Sequence, residues 1–191
     1  MIHKFDVKNK HKLDNSQRRA MLPPEKTLEL LGLKKGDTVA DIGCGIGYFS
    51  IPASEIVGNS GKVYAMDVSE EMLNDVQKKI AKNSIINIAT ILTEVGKLNL
   101  ENGDITFALI SNVLHEIEDR RKMLDDIKRL LDTGGRIAII EWEKIDSEFG
   151  PPRDHRLDRE ELAKIMKSAG FCNISFVDLG ENFYGITATE G

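Results

Sequence analysis

Cysteine is scarce in this 191-residue chain, which holds two, and aromatic residues make up 6% of it with a single tryptophan. Cys44 and Cys172 stand far apart without metal-ligand spacing, and two thiols are too few for a disulfide framework or a thiolate-rich metalloid site. They read as reduced thiols, and no metal site is expected. Long apolar runs are missing as well. None approaches the roughly 20 residues that span a bilayer, and the start Met1-Ile2-His3-Lys4-Phe5-Asp6 lacks the apolar core of a secretory signal. A cytoplasmic protein with no membrane partner is expected. Positive charge does not prevail: 26 Lys and Arg face 31 Asp and Glu, for a net charge of -5. Without a broad basic surface to meet phosphates, nucleic acid is not an expected partner. Repeats, low-complexity stretches and an appended recognition domain are absent too, which favours a small molecule over a macromolecule as the substrate. No feature specifies an oligomeric state.

What is present is ordinary globular composition, 41% hydrophobic and 30% charged, at a length that closes one sizeable core. The charge is uneven. Residues 1 to 22 hold six Lys and Arg (Lys4, Lys8, Lys10, Lys12, Arg18, Arg19) against Asp6 and Asp14. This polar segment is either a solvated tail or a lid anchored by Phe5 and Leu13, and residues 23 to 191 form the domain proper.

Along the domain, strand and helix patterns alternate. Thr38 to Ile42 is short, apolar and β-branched and runs into a glycine-rich turn; a helix is expected over 47 to 57, with Pro52 kinking it or delaying its start. Lys62 to Met66 reads as the second strand, and Ser69 caps a helix carrying Leu73, Val76 and Ile80 at helical spacing. Ile88 to Leu92 is the third strand. Ile105 to Ile110 is an unbroken apolar run suited to burial on both faces. Leu124, Ile127 and Leu131 stripe the next helix, which is expected to stop at Gly134-Gly135 before the strand 136 to 142. A helix over Arg159 to Ser168 and strands near 172 to 179 and 183 to 189 complete the pattern. The link between those last strands is too short for a parallel crossover, so the last strand is antiparallel. The expected fold is a doubly wound, Rossmann-like α/β sheet of seven mostly parallel strands, with helices on both faces and the ligand at the carboxyl ends of the strands.

Gly43, Gly45 and Gly47 follow the first strand, where glycine permits a tight turn and close backbone approach to a ligand. The dinucleotide fingerprint needs a further glycine three places after Gly45, and that position is Tyr48. Asp41, two residues before the first glycine, would repel a pyrophosphate but suits S-adenosylmethionine, which has no phosphate and carries a positive ammonium and a positive sulfonium. Asp67 lies twenty places after Gly47, where an acid accepts from ribose hydroxyls. Glu94 and Val95 follow strand three and border the expected adenine; Ser111-Asn112 ends strand four on the same rim.

Val39 to Gly47, Val63 to Ser69 and Leu130 to Ile137 together resemble the class I S-adenosylmethionine-dependent methyltransferases, in the small single-domain form similar to quinone-biosynthesis and general small-molecule enzymes. The resemblance covers about residues 25 to 190. It implies the cofactor S-adenosyl-L-methionine, with Asp41, Gly43, Cys44 and Gly45 along the methionine part, Asp67 and Val68 at ribose and adenine, Glu94 and Val95 at the adenine, and Asn112 near the methionine. Thr93-Glu94-Val95 departs from the Gly-Asp-Ala of many relatives, which leaves Glu94 less secure than Asp67.

Methyl transfer from a sulfonium chiefly requires alignment and exclusion of water. A hydroxyl or protonated amine as acceptor also profits from a base, and His115, three residues beyond Asn112, is the candidate catalytic residue, with packing over the cofactor as its other reading. Glu141, Trp142 and Glu143 end strand five and His155 follows Gly150-Pro151-Pro152; both groups are candidates to border the acceptor. Two other functions compatible with the loop are a non-catalytic S-adenosylmethionine-binding regulator and, against Tyr48 and Asp41, a nicotinamide oxidoreductase.

Overall fold

Thr38–Ile42 forms β1, the third strand across a seven-stranded sheet in a computed structural model that describes residues 7–94, 97–100 and 103–191. The other strands are β2 (Lys62–Asp67), β3 (Ile88–Leu92), β4 (Ile105–Ser111), β5 (Leu131–Trp142), β6 (Phe171–Asp178) and β7 (Phe183–Glu190). Their order is β3-β2-β1-β4-β5-β7-β6. Strands β1 to β5 are parallel, and β7 runs antiparallel to both β5 and β6. This is the wound sheet with an antiparallel last strand that the alternation predicts. Because β1 pairs with both β2 and β4, the winding reverses beside it, and the crevice outside the carboxyl ends of β1 and β4 is where such sheets bind ligands.

The helices are α1 (Ser16–Met21), α2 (Pro24–Leu30), α3 (Ser50–Val57), α4 (Glu70–Asn83), α5 (Arg120–Leu130) and α6 (Arg159–Ser168). They cover both faces, and the central strands alternate accordingly. Phe107 and Leu109 of β4, with Ala138 and Ile140 of β5, pack toward Leu28, Ala53 and Val57. Ala108, Ile110, Ile137 and Ile139 face Leu124, Ile127, Leu162 and Met166. All four β4 residues are 1% exposed or less, which is why that run reads as continuously apolar.

Two boundaries differ from the sequence reading. The helix after the glycine loop starts at Ser50, because the left-handed Gly47 and the following turn precede it. Pro52 then falls in the first turn, where a backbone N–H has no helical partner, so no kink is needed. Helix α5 ends at Leu130, four residues before Gly134. Leu131 leaves the helix to pair with Ile105 in the sheet, and a register shift precedes the pairing of Arg136 with Phe107. Burial of Leu131, 4% exposed, outweighs the later glycine stop.

The described part of the N-terminal segment packs on the domain. A 3-10 turn spans Val7–Leu13, and Asn15 caps α1 by accepting from the Arg18 amide at 2.8 Å. Lys10 Nζ reaches Asp75 at 2.7 Å and Glu71 at 3.0 Å on α4. The Tyr48 hydroxyl donates to the Leu22 carbonyl at 2.7 Å, and Leu22 itself is fully buried. Phe5, one of the two apolar anchors considered above, lies outside the described residues. No helix among the described residues is long and apolar enough to cross a membrane.

Candidate functional site

The loop after β1 turns through three left-handed glycines, Gly43, Gly45 and Gly47, with φ of 72°, 53° and 79°. At Gly43 the requirement is also steric: a Cβ there would sit 2.5 Å from Val113 Cγ2. The loop is tied to β2. Gly43 and Cys44 amides both donate to the Met66 carbonyl, at 2.8 and 2.9 Å, and the Gly45 amide donates to Asp67 Oδ2 at 2.9 Å. Asp67 Oδ1 accepts from the Ser69 amide at 2.8 Å, so this acid fixes the loop and the start of α4 at once.

A cavity of about 210 Å³ opens at the carboxyl ends of β1, β2 and β4, and Asp41, Gly43, Cys44, Gly45, Asp67, Val68, Glu94 and Asn112 all line it. They are not equivalent. Asp41 is 2% exposed and accepts from the Ser50 hydroxyl at 2.5 Å. Burial pushes its pKa up to about 7, against the hydrogen bond from Ser50 and with the charge of Asp67. Cys44 is buried, and burial, then the nearby Asp41 and Asp67, push its thiol well above the ordinary range, so it is an apolar filler rather than a thiolate. Glu94 stands at the rim, its side chain 70% exposed and paired with Lys97 at 3.0 Å. Val95 lies outside the described residues.

Asn112 takes a left-handed φ of 55° at the end of β4. Its amide donates to the Ile140 carbonyl at 2.8 Å and its Nδ2 to Ser111 Oγ at 3.2 Å, yet its buried Oδ1 accepts nothing. A buried orphaned acceptor in the lining of a cavity calls for a hydrogen-bond donor from a bound ligand. An ammonium group is such a donor and a pyrophosphate is not. Tyr48, where the dinucleotide fingerprint has glycine, is 5% exposed and holds the N-terminal segment through its hydroxyl.

His115 is not in this cavity. It lies in the 3-10 turn Leu114–Glu116 and lines a second cavity of about 640 Å³, together with Arg120, Lys144, Asp154 and His155. Glu116 and Ile117 border both cavities. His115 Nδ1 is 2.7 Å from Glu141 Oε2, and the His115 amide donates to Glu141 Oε1 at 3.2 Å. Burial alone lowers the imidazole pKa, but the hydrogen bond and charge of Glu141, aided by Glu116, outweigh it and the net shift is upward. Glu141 is 1% exposed. It was a candidate to line the acceptor site, and its contact with His115 could not be read from their separation of 26 residues.

Trp142 packs on Phe183 with ring centroids 4.2 Å apart and is covered by Gly150, so it is core and cover. Glu143 pairs with Arg159. Arg18, which lines the cavity, and the fully buried Ser50, which donates to Asp41, are two residues that sequence reasoning missed; only the Ser50 position, early in the helix after the loop, carried a signal.

The ubiE/COQ5 methyltransferase family model matches residues 5–150. The chain belongs to that family. A protein from Aquifex aeolicus described as a SAM-dependent methyltransferase has a TM-score of 0.93 and 34% identity over 98% of this chain and all of its own. An arsenite methyltransferase of Halobacterium salinarum is 32% identical over 70% of this chain, and a demethylmenaquinone methyltransferase of Lactococcus lactis 34% over 61%. The chain spans 34% and 46% of the lengths of those two enzymes. Resemblance to quinone-biosynthesis methyltransferases is thus a shared family, and the chain is a member of the S-adenosylmethionine-dependent class rather than of the nicotinamide enzymes.

Proposed function

We propose that this protein transfers a methyl group from S-adenosylmethionine to a small polar acceptor whose acidic hydroxyl is deprotonated by His115. The observation that carries this reading is that the two cavities adjoin: Glu116 and Ile117 line both, with the cofactor loop on one side and the His115–Glu141 pair on the other.

On the cofactor side, Asp41, whose buried carboxyl the cationic methionine end would help to ionise, and the Asn112 Oδ1 are the acceptors for that end. Asp67, each of whose oxygens holds one amide, keeps lone pairs for ribose hydroxyls. Val68 and Glu94 border the adenine, and Gly43, Cys44 and Gly45 let the backbone approach. Bound S-adenosylmethionine supplies an electrophilic methyl on a positive sulfur. His115, its Nδ1–H held by Glu141, takes the acceptor proton at Nε2, so the acceptor reaches the methyl as an anion. The described N-terminal segment acts as a lid: Leu13 lines the cofactor cavity, and a Cβ on Gly45 would lie 3.2 Å from its Cδ1. Such a cover excludes water from the reaction.

The charged lining of the second cavity favours a polar acceptor over an apolar one. Arsenite is disfavoured, because the two thiols lie apart, Cys44 in the loop and Cys172 on β6 at the sheet edge. Thermal unfolding with S-adenosylmethionine, S-adenosylhomocysteine and NAD in parallel tests the cofactor. A ligand at about 100 times its Kd adds roughly 2.7 kcal/mol, several degrees at this size. Stabilisation by the sulfur nucleosides alone is expected, and stabilisation by NAD alone would overturn the reading. Binding without turnover across a panel of hydroxylated acceptors would favour a regulator.

A further inference from the structure

The methionine end of S-adenosylmethionine is a zwitterion, so a site for it must satisfy an α-carboxylate as well as an ammonium. The cavity is rich in acceptors: Asp41, Asp67, Glu94 and Glu116 all line it, and Asp41 with the orphaned Asn112 Oδ1 suits the ammonium. Donors for the carboxylate are scarce. The Gly43 and Cys44 amides donate to Met66, the Gly45 amide to Asp67 and the Gly47 amide to the Cys44 carbonyl at 2.9 Å. Four of the loop amides that could cradle an anion are therefore committed, three to β2 and one within the loop.

One cationic side chain lines the cavity among the described residues, and it is Arg18 of α1. Its guanidinium lies over the Tyr48 ring at 4.7 Å from the centroid, and its buried Nε has no hydrogen-bond partner. Asp14, the nearby acid, is held by the adjacent Arg19 at 2.6 Å instead. Burial pushes the Arg18 pKa down, with Tyr48 and Asp14 only partly opposing it. A cation drawn out of water with an idle donor needs an anion. The Asn15 cap and the Tyr48 hydroxyl bond to Leu22 fix α1 at its two ends, which holds Arg18 at the cavity.

We infer that Arg18 anchors the α-carboxylate of the cofactor, donating from its guanidinium on the side of the cavity supplied by the N-terminal segment. This rests on the cofactor reading above, and it makes that segment part of the binding site rather than a cover alone. Arg19, one residue away, has no such role.

Titration calorimetry of the intact chain with S-adenosylmethionine and its decarboxylated form, which keeps ammonium, sulfonium and nucleoside, isolates the contact. The wild type should bind the decarboxylated form about 10- to 100-fold more weakly, as befits a charge-assisted hydrogen bond. In Arg18→Gln that discrimination should collapse to within about twofold, with affinity for the decarboxylated form retained. Arg18→Lys should restore part of it, since lysine brings the charge without the planar fork. Unchanged discrimination in Arg18→Gln, or equal loss of both ligands, would overturn the anchor alone. A wild type that binds neither ligand overturns the cofactor reading first, and the anchor with it.

Discussion

Replacing Glu141 by Gln removes the charge beneath His115 while leaving an acceptor of nearly the same shape. In the wild type Glu141 Oε2 lies 2.7 Å from Nδ1 and Glu141 is 1% exposed, so the pair interacts with little solvent between. A hydrogen bond to a charged group contributes about 1.5–3 kcal/mol and a neutral one about 0.5–1.5, so losing the charge withdraws roughly 1–1.5 kcal/mol from the imidazolium. That is about one pKa unit. Burial, which opposes the charge in the wild type, is then unbalanced, and the His115 pKa should fall from above the ordinary histidine value to at or below it. The assay needs no acceptor: the imidazole proton shifts are titrated by NMR in both proteins, with His115 assigned among the four histidines by the spectrum of a His115→Gln variant. The linkage gives an independent sign. A histidine with a raised folded-state pKa contributes stability below about pH 6.5 that is lost as pH rises through the folded value. The wild-type advantage over Glu141→Gln should therefore be largest in acid and shrink across that window. An identical His115 titration in the two proteins would refute the dyad.

Three further outcomes follow from the same geometry. His115→Ala should lower turnover with a hydroxyl acceptor by about 10²- to 10⁴-fold and leave the Kd for S-adenosylhomocysteine within about twofold, because His115 lines the other cavity; unchanged turnover would remove the base. Asp41, pushed to about 7 by burial, stays protonated in the folded chain where the unfolded chain has lost that proton. The stability difference between wild type and Asp41→Asn should thus move against the wild type as pH rises from about 4 to 7, and a flat difference in denaturation midpoints would contradict the burial argument. Removing residues 1 to 20 takes away both Leu13 and Arg18 from the cofactor cavity and should weaken S-adenosylmethionine at least about tenfold; full retention of affinity would show that the segment neither covers nor anchors.

The sheet was legible because its strands are local: β4 reads as buried on both faces from the apolar run Ile105 to Ile110, and the short link before β7 permits only an antiparallel return. The places where the reading slipped are those where packing outweighs a local stop. Gly134 marks a helix end on any propensity scale, yet Leu131 is worth more in the core than in a further helical turn. Within the site, Asp41 and Asp67 announce themselves by position at the ends of β1 and β2. His115 was harder. It follows Asn112 closely, but the left-handed turn at Asn112 and the 3-10 turn after it carry the imidazole to the neighbouring cavity and onto Glu141 of an adjacent strand.

Arg18 and Arg19 mark the limit of what local sequence can say. The two are adjacent, chemically identical and set in a basic run that equally suits a solvated face. What separates them is the direction of α1, fixed by the Asn15 cap before it and the Leu22 carbonyl after it. On an α-helix successive residues point about 100° apart, so once Leu22 is buried against Tyr48 one arginine must turn toward the loop and the other toward Asp14. The cavity supplies the rest of the distinction. A guanidinium turned inward meets the Tyr48 face, its buried Nε without a partner and its nearby acid held by Arg19, and such a charge is best answered by a bound anion. That places the selection for Arg18 in the complex with cofactor rather than in the stability of the free chain. In Arg18→Gln the free protein should therefore unfold at an equal or higher temperature while its response to S-adenosylmethionine falls, and a loss of free-state stability with an intact ligand response would point the opposite way.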